Sequence, residues 1–177
     1  MGLTAPQATP IINQFGRVFE MSNYVRPKLK GACVFFTVVT AQRGSDVLVR
    51  RIDVLRNAVK QTRDERPFKI DAWVVLPDHI HCVWTLPEDD DDYAIRWSVI
   101  KARFSRAMPK VQRRQSHVKR REHGIWQRRF WEHHIRNESD YRAHVEYCWH
   151  NPIKHGFVTH PKDWPFSSWH RDVGRFG

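Results

Sequence analysis

His79 and His81 flank one isoleucine in Leu76-Pro77-Asp78-His79-Ile80-His81-Cys82-Val83-Trp84, an apolar stretch whose composition predicts a strand. Side chains alternate across a strand, so the two imidazoles share a face and can offer two nitrogens to one cation. Further on lies a helical pattern, Asp140-Tyr141-Arg142-Ala143-His144-Val145-Glu146-Tyr147-Cys148-Trp149-His150-Asn151-Pro152, which carries two tyrosines. Tyr141, Val145 and Cys148 follow at steps of four and three and form the stripe that faces a core, so Tyr141 reads as a packing residue. Tyr147 is about 200° around the helix from Val145 and shares its face with His144 and Asn151. That makes Tyr147 the candidate nucleophile. A phenol is a weak nucleophile at its free pKa of about 10, so a cation beside it that neutralises a phosphodiester and orients it for in-line attack would supply what the phenol lacks.

The elements that must position these groups follow from periodicity. Residues 1–20 show none and read as an extension, leaving one domain over 21–177. Cys33 to Thr40 is rich in β-branched and aromatic residues and reads as a buried strand. From Val47 to Glu65, apolar residues recur at helical spacing and Pro67 follows the end. Phe68–Leu76 and His79–Leu86 read as two strands joined at Pro77-Asp78, an antiparallel hairpin with the histidine pair beside its turn. The acidic run from Glu88 to Asp92 reads as a solvated loop feeding the N-terminus of a helix over 92–108 that stops at Pro109. Residues 110–122 read as a basic loop and Gly124–Ile135 as a further strand. Asn137 caps the last helix, which Pro152 closes. The order predicts an α+β fold, an antiparallel sheet with helices packed on it.

Charge narrows the partner. The 177 residues carry 30 Lys and Arg against 19 Asp and Glu, a formal +11, which favours a polyanion. No apolar run approaches the ~20 residues of a spanning helix and no basic-then-apolar leader opens the chain, so the expected location is the cytoplasm, at the nucleoid. Between 101 and 129 there are eleven basic residues, Lys101, Arg103, Arg106, Lys110, Arg113, Arg114, Lys119, Arg120, Arg121, Arg128 and Arg129, against one acid, Glu122. Interleaved Phe104, Trp126, Phe130 and Trp131 suggest that cations hold phosphates while rings stack on unpaired bases. Cys33, Cys82 and Cys148 are odd in number and form no C-x-x-C pair, so neither a disulfide framework nor a structural zinc site is expected.

Four blocks in order carry a resemblance over about 21–172: Asp71 to His81, Gly124-Ile125-Trp126-Gln127-Arg128-Arg129-Phe130-Trp131-Glu132-His133, Tyr147 to Gly156, and Asp163-Trp164-Pro165-Phe166-Ser167-Ser168. In these the chain resembles the REP-associated tyrosine transposases, a branch of the single-tyrosine HUH endonucleases. The resemblance implies an RRM-like (ferredoxin-type) sheet bearing the histidine pair, a late helix bearing the tyrosine, and cleavage of single-stranded DNA beside hairpins of repetitive extragenic palindromes through a 5′-phosphotyrosine. It implies His79 and His81 as ligands of Mg²⁺ or Mn²⁺, with Asn151, four positions after the tyrosine, completing the set. His133, His144 and His150 are the substitutes should Asn151 not serve. Tyr24, Arg26, Lys28 and Lys30 resemble the N-terminal segment that reads a single-stranded guide next to the hairpin, and Met21 resembles the usual start. The DNA contacts so expected are these four with Lys101, Arg103, Arg113, Arg114, Lys119, Arg120, Arg121, Arg128, Arg129 and Trp131, in a monomer or homodimer. Two other readings fit part of the sequence: an RRM-like nucleic-acid-binding module without catalysis, and a metal-dependent phosphodiesterase that uses water.

Overall fold

The computed structural model describes residues 11–12, 18–19, 27–108 and 124–174. Its centre is a four-stranded antiparallel sheet of β3 (Cys33–Val39), β4 (Lys69–Val75), β5 (His79–Thr85) and β6 (Trp131–His134), in the order β4-β5-β3-β6. Ahead of it, Ile11–Ile12 (β1) pairs antiparallel with Val18–Phe19 (β2) within the segment expected to be an extension. Two-residue strands of this kind leave no periodicity to read.

Alternation along β3 divides the core. Phe36 and Val38 join Ile80, Cys82 and Trp84 on one face, under α2 (Ile52–Glu65) and α3 (Tyr93–Arg106). Phe35 joins Ala72, Val74 and Val83 on the other, under α4 (Glu138–Lys154) through Val145, Cys148 and Trp149. Both faces of the central strands are covered, which is why β5 is buried along nearly its whole length. The edge strand β4 is shielded by the C-terminal segment: Val75 N–H donates to Phe166 O at 2.9 Å, Ser168 N–H to Trp73 O at 2.7 Å, and the Trp164 indole to Val75 O at 2.9 Å.

Several expected elements differ in detail. The helix over 47–65 is interrupted at Arg51, giving α1 (Val47–Arg50) and α2. The strand over 124–135 contracts to β6, with Trp126 contributing an isolated bridge to Thr40; exposed Arg128 and Arg129 break the alternation a longer strand needs. Pro152 does not close α4, which runs on to Lys154. A proline deletes one donor and clashes with the preceding turn, but burial of Asn151 and Pro152 against the sheet holds the last turn in place. Nor is the acidic run wholly solvated. Asp92 caps α3 by accepting from Ile95 N–H at 3.0 Å, while Asp90 grips the buried Arg96 guanidinium at 2.7 and 3.0 Å.

Candidate active site

Each histidine of the β5 pair is anchored through Nδ1. The ring centroids are 5.0 Å apart and both side chains are buried. Asp78 Oδ1 is 2.7 Å from His79 Nδ1, and an ionised carboxylate only accepts, so Nδ1–H is the donor. Asp78 is itself fixed from the loop after β3: Gly44 N–H donates to Oδ2 at 2.9 Å, and Thr40 donates to its carbonyl through N–H at 2.8 Å and Oγ1 at 3.0 Å. Gly44 has φ 72°, a backbone region that favours glycine. Burial alone would raise the Asp78 carboxyl, but the hydrogen bonds from His79 and Gly44 outweigh it and hold it below the usual value. His81 lies directly opposite Thr37 in the sheet register, and its Nδ1 is 2.9 Å from Thr37 Oγ1. Burial, reinforced by His79, His155 and Lys154, holds His81 well below its ordinary pKa and keeps it neutral at pH 7. No hydrogen bond among the described residues engages Nε2 of either ring.

Tyr147 closes the site from α4. Its ring is 5.1 Å from that of His81 and 5.8 Å from that of Phe35, both edge-on. Half-buried at the flank of the helix stripe, it shares that side with His144 and Asn151, which are buried against the sheet. Lys154 Nζ lies 5.3 Å from the Tyr147 ring centroid. Burial raises the phenol pKa; the neighbouring Asn151 amide opposes the shift without completing a hydrogen bond. Asn151 is 1% exposed, and among the described residues it alone has two buried side-chain polar atoms lacking a partner. An orphaned buried amide costs about 1–3 kcal/mol. Tyr141, by contrast, donates its hydroxyl to the buried Asp71 Oδ1 at 3.3 Å, which ties α4 to β4.

The donor set fits a divalent cation. Two imidazole nitrogens oriented by hydrogen bonds at the other ring nitrogen are how metal-ligating histidines are usually held, and the Asn151 amide supplies an oxygen with no hydrogen-bond partner among the described residues.

A second group lies on the same sheet face, on the far side of β3. His133 on β6, Asp140 and His144 bring ligand atoms within 4.8 Å of one another. Their hydrogen bonds are already made. Asp140 accepts from His133 Nε2 at 2.9 Å and from Arg136 through N–H and Nε, each at 3.1 Å, while His144 Nδ1 donates to Asp140 O at 2.8 Å. Burial would raise the Asp140 carboxyl, but these donors bring it down to about 2. His133 and His144 therefore belong to a network joining β6 to α4, and His150 is exposed, bonded to Glu146 O at 2.9 Å.

The expected DNA contacts are scattered. Tyr24, Arg26, Arg113, Arg114, Lys119, Arg120 and Arg121 lie outside the described residues. Lys28 and Lys30 are exposed, as are Arg128 and Arg129. Lys101 and Arg103 sit on α3, on the sheet face away from the histidines. Lys101 donates to Gln127 O at 3.0 Å, and Arg103 donates to Thr62 Oγ1 at 2.8 Å and pairs with Glu65. Both serve as ties within the fold. Trp131 is half-buried edge-on against Phe35 at 5.7 Å, on the histidine face. The rings expected to stack on bases are partly core: Phe104 is fully buried and Phe130 is 7% exposed. The spacing Tyr93, Trp97, Ile100, Phe104 is a helical stripe that signals this.

Sequence reasoning also passed over Asp78, Thr37, Lys154 and His155. His155, the C-cap of α4, has its ring 5.0 Å from that of His79. Asp78 beside His79 was legible as a short-range partner. Thr37 depends on cross-strand register, which one sequence does not give.

Comparison with known proteins adds an independent finding. No protein-family model matches the chain. A protein of Escherichia coli (strain K12) described as a REP-associated tyrosine transposase is 49% identical over 155 residues, covering 88% of this chain and 87% of that one. A Haemophilus influenzae relative (strain ATCC 51907 / DSM 11121 / KW20 / Rd), carrying a provisional form of the same name, is 50% identical over 155 residues, with 86% and 88% covered. A solved structure described as a REP-associated tyrosine transposase bound to a REP hairpin superposes with a TM-score of 0.75 at 48% identity, over 88% of this chain and 87% of that one.

Proposed function

This chain belongs to the REP-associated tyrosine transposases, and from that premise we propose that it nicks and rejoins single-stranded DNA at REP-type palindromic hairpins through a 5′-phosphotyrosine on Tyr147. The observation that carries the reading is the convergence of His79, His81 and Tyr147, with ring centroids within 5.1 Å along the series, beside an Asn151 amide that has no hydrogen-bond partner among the described residues. His79 and His81 through Nε2, and Asn151 through Oδ1, are the groups that would hold Mg²⁺ or Mn²⁺. Bound there, such a cation supplies charge neutralisation and orientation of the scissile phosphate.

The chain's own residues do the rest. Tyr147 forms the new P–O bond as the P–O3′ bond breaks; the phenol gives up its proton, and the departing 3′ oxygen ends as a hydroxyl. Because burial raises the Tyr147 pKa, the phenol is protonated at rest and reactive only when positive charge is close. Lys154, near the ring, provides part of that field and a hold on the phosphate. Asp78 and Thr37 keep the two imidazoles from rotating. The phosphotyrosine conserves the energy of the broken bond, so attack by another 3′ hydroxyl reseals DNA and releases Tyr147. Residues 21–177 act as one domain, with 1–20 an extension to it. Lys28, Lys30, Arg128, Arg129 and Trp131, with Tyr24, Arg26 and the basic residues of 113–121, make up the DNA-binding surface. Among the described residues no helix is long and apolar enough to cross a membrane, and the protein works at the nucleoid, as a monomer or homodimer.

The test is an adduct assay with Mg²⁺ or Mn²⁺ on single-stranded REP hairpins. Wild type and Tyr141→Phe should become covalently linked to the 5′ phosphate, and Tyr147→Phe should not. An adduct that survives Tyr147→Phe contradicts the assignment, and nicking by wild type without any adduct would favour the water-using phosphodiesterase.

A further inference from the structure

Positive charge at the candidate site has a source outside the basic window. Arg43 lies in the loop after β3, and that loop is tied to its surroundings on both sides of the arginine. Ala41 N–H donates to Ile125 O at 2.8 Å, Gly44 N–H to Asp78 Oδ2 at 2.9 Å, and Leu48 N–H to Pro77 O at 3.2 Å. The backbone of Arg43 is thereby placed, while its side chain is exposed and forms no ion pair among the described residues. Strand register fixes where the loop stands. Thr37 faces His81 and Val39 faces His79, so the chain after Val39 continues past the His79 end of the pair. Tyr147 is at the other end, its ring 5.1 Å from that of His81. Electrostatics agrees with this placement. Burial lowers the His155 pKa, and His79, Lys154 and Arg43 lower it further, against Asp78; the field of Arg43 also reaches Asp78. At His81, burial is joined by His79, His155 and Lys154. Lys154, over the Tyr147 ring, and Arg43 thus serve opposite ends of one site.

We infer that Arg43 binds a backbone phosphate on the 5′ side of the cut, in the strand whose 3′ oxygen departs. This rests on the nicking reading above and names the part of the substrate that the reading leaves unheld. The attacking and leaving oxygens lie roughly in line through phosphorus. With the scissile phosphate on the histidine pair, Tyr147 enters from the His81 end and the 3′ oxygen leaves toward the His79 end, where Arg43 stands. Once the P–O3′ bond breaks, Tyr147 retains only the 5′ phosphate, so the freed 3′ end stays in the site only if something else grips its strand. A guanidinium suits that task, because its planar fork matches phosphate oxygens and its charge strengthens the contact. Resealing, by the same 3′ hydroxyl or by another that takes its place, uses the same hold. Lys154 serves the phosphate under attack, and Arg43 serves the strand that must return.

The experiment couples a protein change to a DNA change. Affinity is measured without divalent ions, so that nothing is cut, for a bare REP hairpin and for the same hairpin carrying the single strand through the cleavage position. In the second oligonucleotide each phosphate near the cut is replaced in turn by a neutral methylphosphonate. Arg43→Ala should bind the bare hairpin as wild type does and the strand-bearing one about tenfold more weakly. A methylphosphonate at one position 5′ to the cut should weaken wild type by the same factor and leave Arg43→Ala unaffected. With Mg²⁺ added, the ratio of resealed strand to trapped adduct should fall in Arg43→Ala by a similar factor. Equal losses on both oligonucleotides, no loss on either, or a variant that keeps the wild-type sensitivity at every position would each overturn the contact. Coupling to a phosphate 3′ to the cut would overturn the choice of strand. A wild type that forms the adduct alongside an uncoupled Arg43 removes this assignment alone, whereas a wild type that forms no adduct removes the nicking reading and Arg43 with it.

Discussion

Two polar groups occupy the same face of one sheet and use the same residue types, yet their hydrogen bonds are disposed in opposite ways. Around Asp140, each contact closes: His133, the Arg136 backbone and guanidinium, and His144 all find acceptors within the group. Around His79 and His81 the contacts stop one atom short. The Nδ1 atoms are tied to Asp78 and Thr37, while the Asn151 amide, next to Tyr147, completes no hydrogen bond among the described residues. Proximity of histidines and carboxylates thus does not by itself mark a working site. Saturation marks the group that holds β6 to α4, whereas a histidine pair anchored only at Nδ1, beside an amide with no hydrogen-bond partner among the described residues, is an arrangement that a cation could complete.

The largest expected effect follows from that contrast. His81→Ala should lower nicking by about 10²–10³-fold or more while a melting curve moves little, and Asp140→Ala should do the reverse. Losing several charge-assisted hydrogen bonds at Asp140 should cost about 2–4 kcal/mol, a fall on the order of 5–10 °C in Tm, with nicking by the folded fraction within about threefold of wild type. Should both variants lose activity and stability together, the two groups act as one and the comparison is broken.

Asn151→Leu sharpens the comparison. Replacing an unsatisfied buried amide by an apolar side chain of similar size should raise stability by about 1 kcal/mol and lower divalent-dependent nicking in the same protein. Stabilisation without loss of nicking would remove Asn151 from the site.

The smallest effect is in pH. The His81 pKa is lowered on folding by burial and by neighbouring positive charge, so its contribution is complete above its unfolded value of about 6.5 and declines as pH falls below it. Asp140 is held at about 2, so its contribution is complete above about 4 and is lost as pH falls from there through 2. Chemical denaturation without divalent ions should show both slopes, with Asp140→Asn removing the acidic one and His81→Gln flattening the higher one.

How far the sequence speaks depends on the range of the interaction. The histidine pair follows from the two-residue period of a strand, and the antiparallel hairpin from Pro77-Asp78 between two apolar runs. Tyr147 was separable from Tyr141 by angle alone, and Asn151 came through resemblance to a family. Thr37 opposite His81, and Gly44 beneath Asp78, depend on strand register and on a loop folding back, which no local pattern encodes. Phe104 shows the opposite case: the basic residues around it suggest a ring that stacks on bases, while its place in the Tyr93–Trp97–Ile100 stripe fixes its burial. At α4 the rule against helical proline, a local cost of ~3 kcal/mol or more, gives way in a last turn whose Asn151 and Pro152 are buried.

The claim that one group is built to hold a cation and the other to hold the fold is tested most directly by anomalous scattering from crystals soaked in Mn²⁺. A single strong peak bounded by His79, His81 and Asn151, absent in His79→Ala, is the expected result. A peak between His133, Asp140 and His144, with none at the β5 pair, would contradict it.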